Sequence, residues 1–215
     1  MELKLSDICR TNLKQYSQKE NWEDVMYLDT GNITNNAISS LQHIIIGKEE
    51  LPSRARRKVK HLDIVYSTVR PNQRHFGLIV NPPNNMLVST GFCVIRCVEG
   101  KADPYFIYHY LSQDKIVNYL HAIAEQSVSA YPSIRSVDIE NIELDIPDYP
   151  EQVKIGKLLS SLDDKIALNK RINDNLIWRT ISYSLNLIKI QIVMIFLYRQ
   201  QTIEIEFLRK FDLVA

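Results

Sequence analysis

The sequence predicts an α/β (α+β) fold in which a curled mixed β-sheet with flanking helices is followed by a long coiled-coil-forming helix. Short runs of β-branched and aromatic residues in the first half end at turn residues, and their uneven spacing favours a curled mixed sheet over a regular sandwich. A helix-start signal follows near residue 103, and a seven-residue repeat begins after residue 150.

The predicted strands are concentrated between residues 63 and 98. The run 63–69 is rich in β-branched and aromatic residues and stops at Arg70-Pro71. The run 76–80 ends at Asn81-Pro82-Pro83, where the prolines have no N–H group to donate to a strand ladder. Strand character returns at 86–89 and at 92–98, so these runs predict a curled mixed sheet.

A helix is predicted from Asp103 to about Glu125. The Asp103 side chain can accept hydrogen bonds from the free N–H groups of the first turn, and Pro104 suits the first helical position. Apolar side chains then recur at helical spacing, at Phe106, Ile107, Tyr110 and Leu111. A polar connection at 127–133 and a strand-like piece at 139–146 complete the first domain, predicted as residues 1–146.

Beyond Pro147 the periodicity changes to that of a coiled coil. One seven-residue series comprises Ile155, Leu162, Asn169 and Leu176, and a second, offset by four, comprises Leu159, Ile166 and Asn173. Together they predict a helix-pairing seam over residues 147–180, in which the two Asn positions weaken pairing but favour one register. Such a helix needs a partner because it is too polar outside its seam to fold alone. Residues 181–215 form an atypical tail of β-branched runs without a helical stripe.

Composition limits the classes of function. Lys and Arg total 26 against 25 acidic residues, so any basic surface for nucleic acid must be local. Three cysteines, with no secretory signal, favour the reducing cytoplasm, and the scattered Cys and His residues predict no metal site. The apolar stretch 185–198 is shorter than the roughly 20 apolar residues of a membrane-spanning helix, so no membrane segment is expected.

Several stretches, taken in order, resemble the specificity (S) subunit of type I restriction-modification systems. Upstream they are Leu5–Ile8, Asp63–Ser67 leading to Val69-Arg70-Pro71, Ser89–Phe92 and Tyr131–Ile134. In the helical region they are Ile142–Pro147, Pro150–Leu159, Leu162–Ile166 and Asn169–Asn173. They span residues 1–177, and their order and spacing make the resemblance specific.

The resemblance implies a non-catalytic subunit with one target recognition domain and one conserved helical region. It implies binding to one half of a split target in double-stranded DNA, with no cofactor in this chain. S-adenosylmethionine, ATP and magnesium would act in the partners, which are modification (methyltransferase) subunits and a restriction subunit. The long helix would pair with a second copy or with a second half-subunit.

Two features depart from the family pattern. Members usually carry two recognition domains and two long helices, whereas this sequence has no internal repeat and corresponds to one half. After Ile177 the family would continue a charged helix, which the tail does not. A frameshifted or truncated reading frame would explain the tail, and so would a genuine half-length subunit that pairs with itself.

Two segments supply candidate DNA-binding residues. Five cations lie within seven residues and are candidates for phosphate contacts, with a solvated loop as the alternative: Arg54, Arg56, Arg57, Lys58 and Lys60. The loop 70–75 lies between predicted strands. Arg pairs with guanine, and Asn or Gln with adenine, so Asn72, Gln73 and Arg74 are candidate base readers, the alternative being a hydrophilic turn. Arg70 and Tyr131 complete the predicted DNA-binding set.

A stand-alone enzyme is the alternative function. Asn81-Pro82-Pro83 resembles an adenine methyltransferase motif, but Asn84 stands where that motif has a stacking aromatic residue. Pro147-Asp148 with Asp163-Asp164-Lys165 resembles a nuclease pattern. However, Asp163 and Lys165 are two positions apart on the predicted helix, so their side chains point to different faces. A truncated, non-functional remnant is a further alternative. We expect recognition without catalysis.

Overall fold

The computed structural model describes residues 3–126 and 131–210, with side chains beyond 177 described only at 183, 184, 187 and 188. The chain divides into two compact units, Met1–Ser161 and Leu162–Ala215. The strands are β1 (Leu3–Lys4), β2 (Cys9–Thr11), β3 (Asp24–Leu28), β4 (Ile33–Thr34), β5 (Ala37–Ile38), β6 (Gln42–Ile45), β7 (Ala55–Lys58), β8 (Asp63–Ser67), β9 (Phe76–Ile79), β10 (Met86–Ser89), β11 (Phe92–Cys97) and β12 (Glu143–Leu144). The α-helices are α1 (Leu5–Ile8), α2 (Pro104–Leu111), α3 (Asp114–Glu125), α4 (Ser136–Glu140) and α5 (Tyr149–Lys210), and 3-10 turns cover Gln18–Glu20, Thr30–Asn32 and Pro71–Gln73.

Two four-stranded sheets form the body of the first unit. One is antiparallel, in the order β2-β11-β8-β9, and the other is mixed, in the order β6-β3-β10-β7, because β10 runs parallel to β3. Two small antiparallel ladders join β1 to β12 and β4 to β5. The predicted α/β class, with mixed strands and flanking helices, is confirmed, but the predicted strands belong to two sheets, because β10 lies in the mixed sheet and β8, β9 and β11 lie in the antiparallel one.

The antiparallel sheet is buried on both faces, which explains its nearly continuous apolar runs. Successive side chains of a strand point to opposite faces. In β8, Ile64 and Tyr66 pack in the cluster that contains α2 and α3, whereas Val65 packs in a second cluster with Val88 of the mixed sheet. Fully burying a side chain of this size contributes roughly 1.5–3 kcal/mol. The layers are therefore helices, antiparallel sheet and mixed sheet.

One charged pair interrupts this apolar interior at the start of β8. The Asp63 side chain is buried, and it accepts hydrogen bonds from Arg96 Nε (2.7 Å) and Arg96 Nη2 (2.6 Å). The backbone N–H of Lys60 donates a third hydrogen bond to the same carboxylate at 2.7 Å. A buried carboxylate is tolerated when it is paired and its oxygens are hydrogen-bonded in this way.

The helices after β11 correct two predictions. The Asp103 cap is confirmed, because Phe106 N donates to Asp103 Oδ1 at 2.9 Å. The single helix to Glu125 is wrong: α2 ends at Leu111, and α3 begins at Asp114 after an extended Gln113. The predicted strand 139–146 is also wrong over most of its length, because α4 occupies its start and β12 contains only two of its residues.

Helix α5 has 62 residues and is continuous to Lys210, through most of the atypical tail; residues 211–215 lie outside the described residues. Its first turns pack within the first unit. The buried Gln152 amide donates to the Pro147 carbonyl (2.9 Å) and accepts from Asp103 N (3.2 Å). At Gly156 a Cβ atom would overlap the Asp103 carboxylate and lie 3.0 Å from Phe106 N, so this close approach requires glycine.

Candidate nucleic-acid interface

The cationic run Arg54–Lys60 forms strand β7 and its two ends, not a solvated loop. On one side β7 pairs with β10. On the other side Tyr16 N donates to the Arg56 carbonyl (2.7 Å), and Lys58 N donates to the Lys14 carbonyl (3.1 Å). The backbone is thus held on both sides, which fixes the points from which the cationic side chains project.

The cations of this run differ in their surroundings. Arg54 and Arg56 are exposed, and neither has an ion-pair partner in the described part of the chain. Arg57 is half-buried: its Nη1 donates to Asn12 Oδ1 at 2.6 Å, and burial lowers the pKa of its guanidinium. Lys58 forms an ion pair with Glu20. Arg54 and Arg56, like the exposed Lys60, are therefore the cations of this run most available to an external anion.

Lys58 and Lys60 line a groove of about 670 Å³ at the end of β7 opposite Arg54. Lys14, Trp22 and Arg96 line the same groove. The Lys58 ammonium lies 4.8 Å from the centroid of the Trp22 ring, within cation–π range. The turn Asn81-Pro82-Pro83 forms another part of the wall, and Asn81 N donates to His61 Nδ1 at 3.1 Å.

The loop 70–75 presents two amides and turns one arginine inward. Its 3-10 turn is flanked by Arg70 (φ 49°) and Arg74 (φ 56°), both in the left-handed region. The Arg74 guanidinium pairs with Asp114 and donates to the Ser112 carbonyl at 3.2 Å. Asn72 and Gln73 are exposed. Arg74 therefore anchors the loop, while the two amides are exposed, with Gln73 Oε1 3.2 Å from His75 Nε2.

Arg70, the first residue of this loop, lies beside Tyr131. The Arg70 guanidinium carbon lies 5.1 Å from the centroid of the exposed Tyr131 ring. The Arg70 N–H donates to the Pro132 carbonyl at 2.9 Å. Residues 127–130 of the polar connection, which precede Tyr131, lie outside the described residues.

A series of short contacts joins Arg54 to the loop 70–75. The Arg54 guanidinium lies against Gly91, where a Cβ atom would be 2.7 Å from Nη2. The Gly91 carbonyl accepts from Thr68 N (2.8 Å) and Thr68 Oγ1 (2.9 Å), and Thr68 directly precedes Val69 and Arg70. The two candidate segments thus meet on one surface, here called the polar face and defined by Arg54, Thr68, Arg70, Asn72, Gln73 and Tyr131.

The hairpin of β4 and β5 adjoins the polar face and was not predicted as functional. Thr34 Oγ1 lies 3.1 Å from His75 Nδ1, and Asn35 N donates to the Arg74 carbonyl at 2.9 Å. Residues 34–40 are all exposed. The sequence does carry a signal for this turn, since Asn35-Asn36 stands between Ile33 and Ile38, and Asn is favoured in turns that need positive φ.

The predicted helix-pairing residues divide between the two units. In the first unit, Ile155 is partly buried against the core and Leu159 is half-buried. The remaining seam residues are exposed in the second unit: Leu162, Ile166, Asn169, Asn173 and Leu176. Leu168 and Ile172 are also exposed and were not in the predicted seam. The apolar surface of α5 is therefore broader than the predicted heptad seam.

None of the helices among the described residues combines the length and the hydropathy that crossing a lipid bilayer requires. No three His, Cys, Asp or Glu side chains of the described part cluster as ligands of a metal ion.

Comparison with known proteins decides the family. A family model described as the type I restriction modification DNA specificity domain matches residues 1–177, the same stretch that carries the sequence resemblance. The chain belongs to this family. The S-subunit resemblance noted in the sequence is thereby confirmed.

The curated relatives compared with this chain are named as specificity subunits. It is 32% identical over 175 residues to the HindI specificity subunit of Haemophilus influenzae, covering 81% of this chain and 38% of that protein. It is 27% identical over 114 residues to the putative MjaX specificity subunit of Methanocaldococcus jannaschii, covering 51% and 26%. The chain thus spans less than half the length of the curated relatives that it matches.

Solved structures agree with the fold. The HsdS subunit of Thermoanaerobacter tengcongensis superposes with a TM-score of 0.66 at 26% identity, covering 80% of this chain and 44% of that chain. A structure described as the basis of complex assembly and conformational transition of a type I R-M system gives 0.65 at 28% identity, with the same coverages. The specificity-subunit fold is therefore shown for most of the chain.

Proposed function

We propose that this specificity chain recognises one half of a split target in double-stranded DNA and directs methylation and restriction there, without catalysing either reaction. The polar face is the observation that carries the proposal, because it places exposed cations beside exposed amides. Cations position a protein on the phosphate backbone, whereas amides read base edges. This combination suits sequence-specific binding.

In this proposal the predicted DNA-binding residues have different roles, according to their exposure and their contacts. Arg54, Arg56 and Arg70 contact phosphates, since they are exposed. Asn72 and Gln73 contact base edges. The remaining cations are bound to other side chains or line the groove: Arg57 bonds to Asn12, Arg74 pairs with Asp114, Lys58 pairs with Glu20, and Lys60 lies at the groove.

Family membership supports the proposed partners. Modification subunits bring S-adenosylmethionine and the methyltransferase site, and a restriction subunit brings ATP- and magnesium-dependent cleavage. The exposed apolar surface around Leu162, Ile166 and Leu176 pairs with a second copy of the chain or with a second half-subunit. A self-paired chain favours a two-fold symmetric target, because the symmetry of the protein and of its site correspond. The chain acts in the cytoplasm, which suits its free thiols Cys9, Cys93 and Cys97.

The test is co-expression of the full chain with a modification subunit, followed by mapping of methylated positions on genomic DNA. The expected result is one methylated motif that disappears when this chain is omitted. An asymmetric motif, with this chain as the only specificity subunit, would contradict self-pairing.

The full chain alone serves as the control for catalysis. With magnesium or with S-adenosylmethionine, it should neither cut nor methylate DNA. Catalysis by the chain alone would overturn the proposal in favour of a stand-alone enzyme, and failure to retain a modification subunit would indicate a non-functional remnant.

A further inference from the structure

We infer that the hairpin of β4 and β5 is a base-reading element that enters the major groove of DNA, with Asn35 at its tip in contact with a base edge. The inference rests on the proposed DNA-binding function and names a specificity-determining residue for it.

The hairpin has the exposure and the chemistry of a base-reading ribbon. All residues from 34 to 40 are exposed, although they lie beside a domain core that is otherwise well covered. From Thr30 to Gln42 the chain has no Asp, Glu, Lys or Arg. Base edges are neutral donors and acceptors, and a carboxylate here would be repelled by the flanking phosphates. A two-stranded ribbon fits the major groove, which is about 12 Å wide.

The hairpin is also held rigidly on the domain. Asn35 N donates to the Arg74 carbonyl and Asn36 N to the Phe76 carbonyl, both at 2.9 Å. Asn36 Oδ1 accepts from Leu78 N at 2.8 Å. At Gly77 a Cβ atom would lie 2.8 Å from this same Oδ1, so glycine permits the hairpin to approach β9 closely. A tip that is fixed before binding loses little conformational entropy when it meets DNA.

The two tip asparagines have different surroundings. Asn36 uses its side-chain oxygen to hold the hairpin on β9. The Asn35 side chain is exposed, and within the described residues it makes no hydrogen bond. An Asn amide offers the donor and acceptor pair that matches adenine in the major groove. Asn35 is therefore the tip residue available to a base.

The neighbouring loop places further amides on the same surface. His75 Nδ1 lies 2.7 Å from the Ile33 carbonyl and 3.1 Å from Thr34 Oγ1, and His75 Nε2 lies 3.2 Å from the Gln73 amide. His75 thus ties the hairpin to the loop that carries the candidate reader Gln73. On the other side, Thr30 and Arg54 both lie against Gly91. Amides in the middle with a cation at the edge match a groove bordered by phosphates.

The test compares Asn35→Gly with the parent chain in a selection from randomised duplex DNA, each as the full chain bound to its modification subunit. Glycine removes the amide and retains the left-handed backbone of Asn35 (φ 45°). We expect the preference at one base pair to fall roughly 5- to 150-fold, the discrimination that one bidentate contact provides. The affinity for unrelated DNA and its dependence on salt should not change. Asn84→Gly is the matched control. Asn84 is exposed and lines the groove at the end of β7 opposite Arg54, so this substitution should leave the selected motif intact.

The outcomes separate the inference from the proposed function. If the parent selects a motif and Asn35→Gly selects the same motif with the same affinity, the hairpin inference is wrong and the proposed function stands. If the parent itself selects no motif, the proposed function falls, and the inference falls with it. Unchanged urea-unfolding midpoints show that neither glycine variant acts by unfolding the domain.

Discussion

Gly156→Ala tests how the first turns of α5 are held on the recognition domain. In an ordinary helix interior this substitution stabilises by about 1 kcal/mol, because alanine loses less backbone entropy than glycine. At this position the new Cβ atom overlaps the Asp103 carboxylate and lies 3.0 Å from Phe106 N. The Asp103 side chain must therefore rotate away, and α5 must also shift because the contact with the Phe106 backbone remains.

The losses outweigh the gain. Displacing Asp103 removes its cap on α2, which costs about 1 kcal/mol. Moving α5 lengthens the bond between Gln152 and Asp103 N, and a hydrogen bond of this kind contributes about 1 kcal/mol. With the propensity gain subtracted, Gly156→Ala should lower the free energy of unfolding by about 1 kcal/mol.

Urea unfolding of the full chain, followed by near-ultraviolet circular dichroism, measures this change. Asp103→Ala provides the partner for a double-mutant cycle, because it removes the carboxylate that the new methyl group on α5 would meet. The double variant should lose about 1 kcal/mol less than the sum of the two single losses. A Gly156→Ala chain more stable than the parent by the full helix-propensity gain would refute the close approach described above.

Three further predictions concern DNA binding, the core and helix pairing. Replacing Arg54 and Arg56 together by Ala should reduce the slope of log affinity against log salt by about two units, as anisotropy titrations would show, whereas Arg57→Ala should alter unfolding and leave that slope unchanged. Burial raises the pKa of Cys93 to about 11, whereas the pKa of this thiol in the unfolded chain is near 9.0. Between these two pH values the folded thiol therefore stays protonated while the unfolded thiol ionises. The stability of the parent relative to Cys93→Ala should therefore be constant below pH 9 and should fall as the pH rises to 11 in urea titrations; equal slopes would contradict the burial. Asn169→Leu should strengthen self-association in sedimentation equilibrium while relaxing the register, and weaker association would argue against its place in the seam.

Sequence patterns predicted the parts of the fold that are determined by contacts between residues close together in the chain. The Asp103 cap lies three residues from the N–H that it accepts from, and the structure confirms it. The end of α2 was missed because the Ser112 carbonyl is satisfied by Arg74, which lies 38 residues earlier in the chain. The start of α4 carried a signal that was overlooked: Asp138 accepts from Arg135 N at 2.7 Å, a bond between residues three apart.

The candidate site was predicted in part for the same reason. Charge and amide content identified the segments 54–60 and 70–75, but neither shows in sequence which side chains face inward. Arg57 and Arg74 have contacts with Asn12 and Asp114, and these distant partners were invisible to pattern analysis. The hairpin was not predicted to bind DNA because both predicted segments were recognised by stretches that contain cations. The stretch from Thr30 to Gln42 has no charged residue.

Asn35 differs from its neighbour Asn36 in its contacts, and Gln73 differs in the same way from Arg74. This difference has a consequence for altering the DNA target. Asn36 and Arg74 tie the backbone to the domain, while Asn35 and Gln73 face outward. A library randomised only at the outward positions would keep the framework and vary the chemistry offered to DNA. Retargeting a specificity chain of this kind would then require changes at a few surface positions, with no repacking of its core.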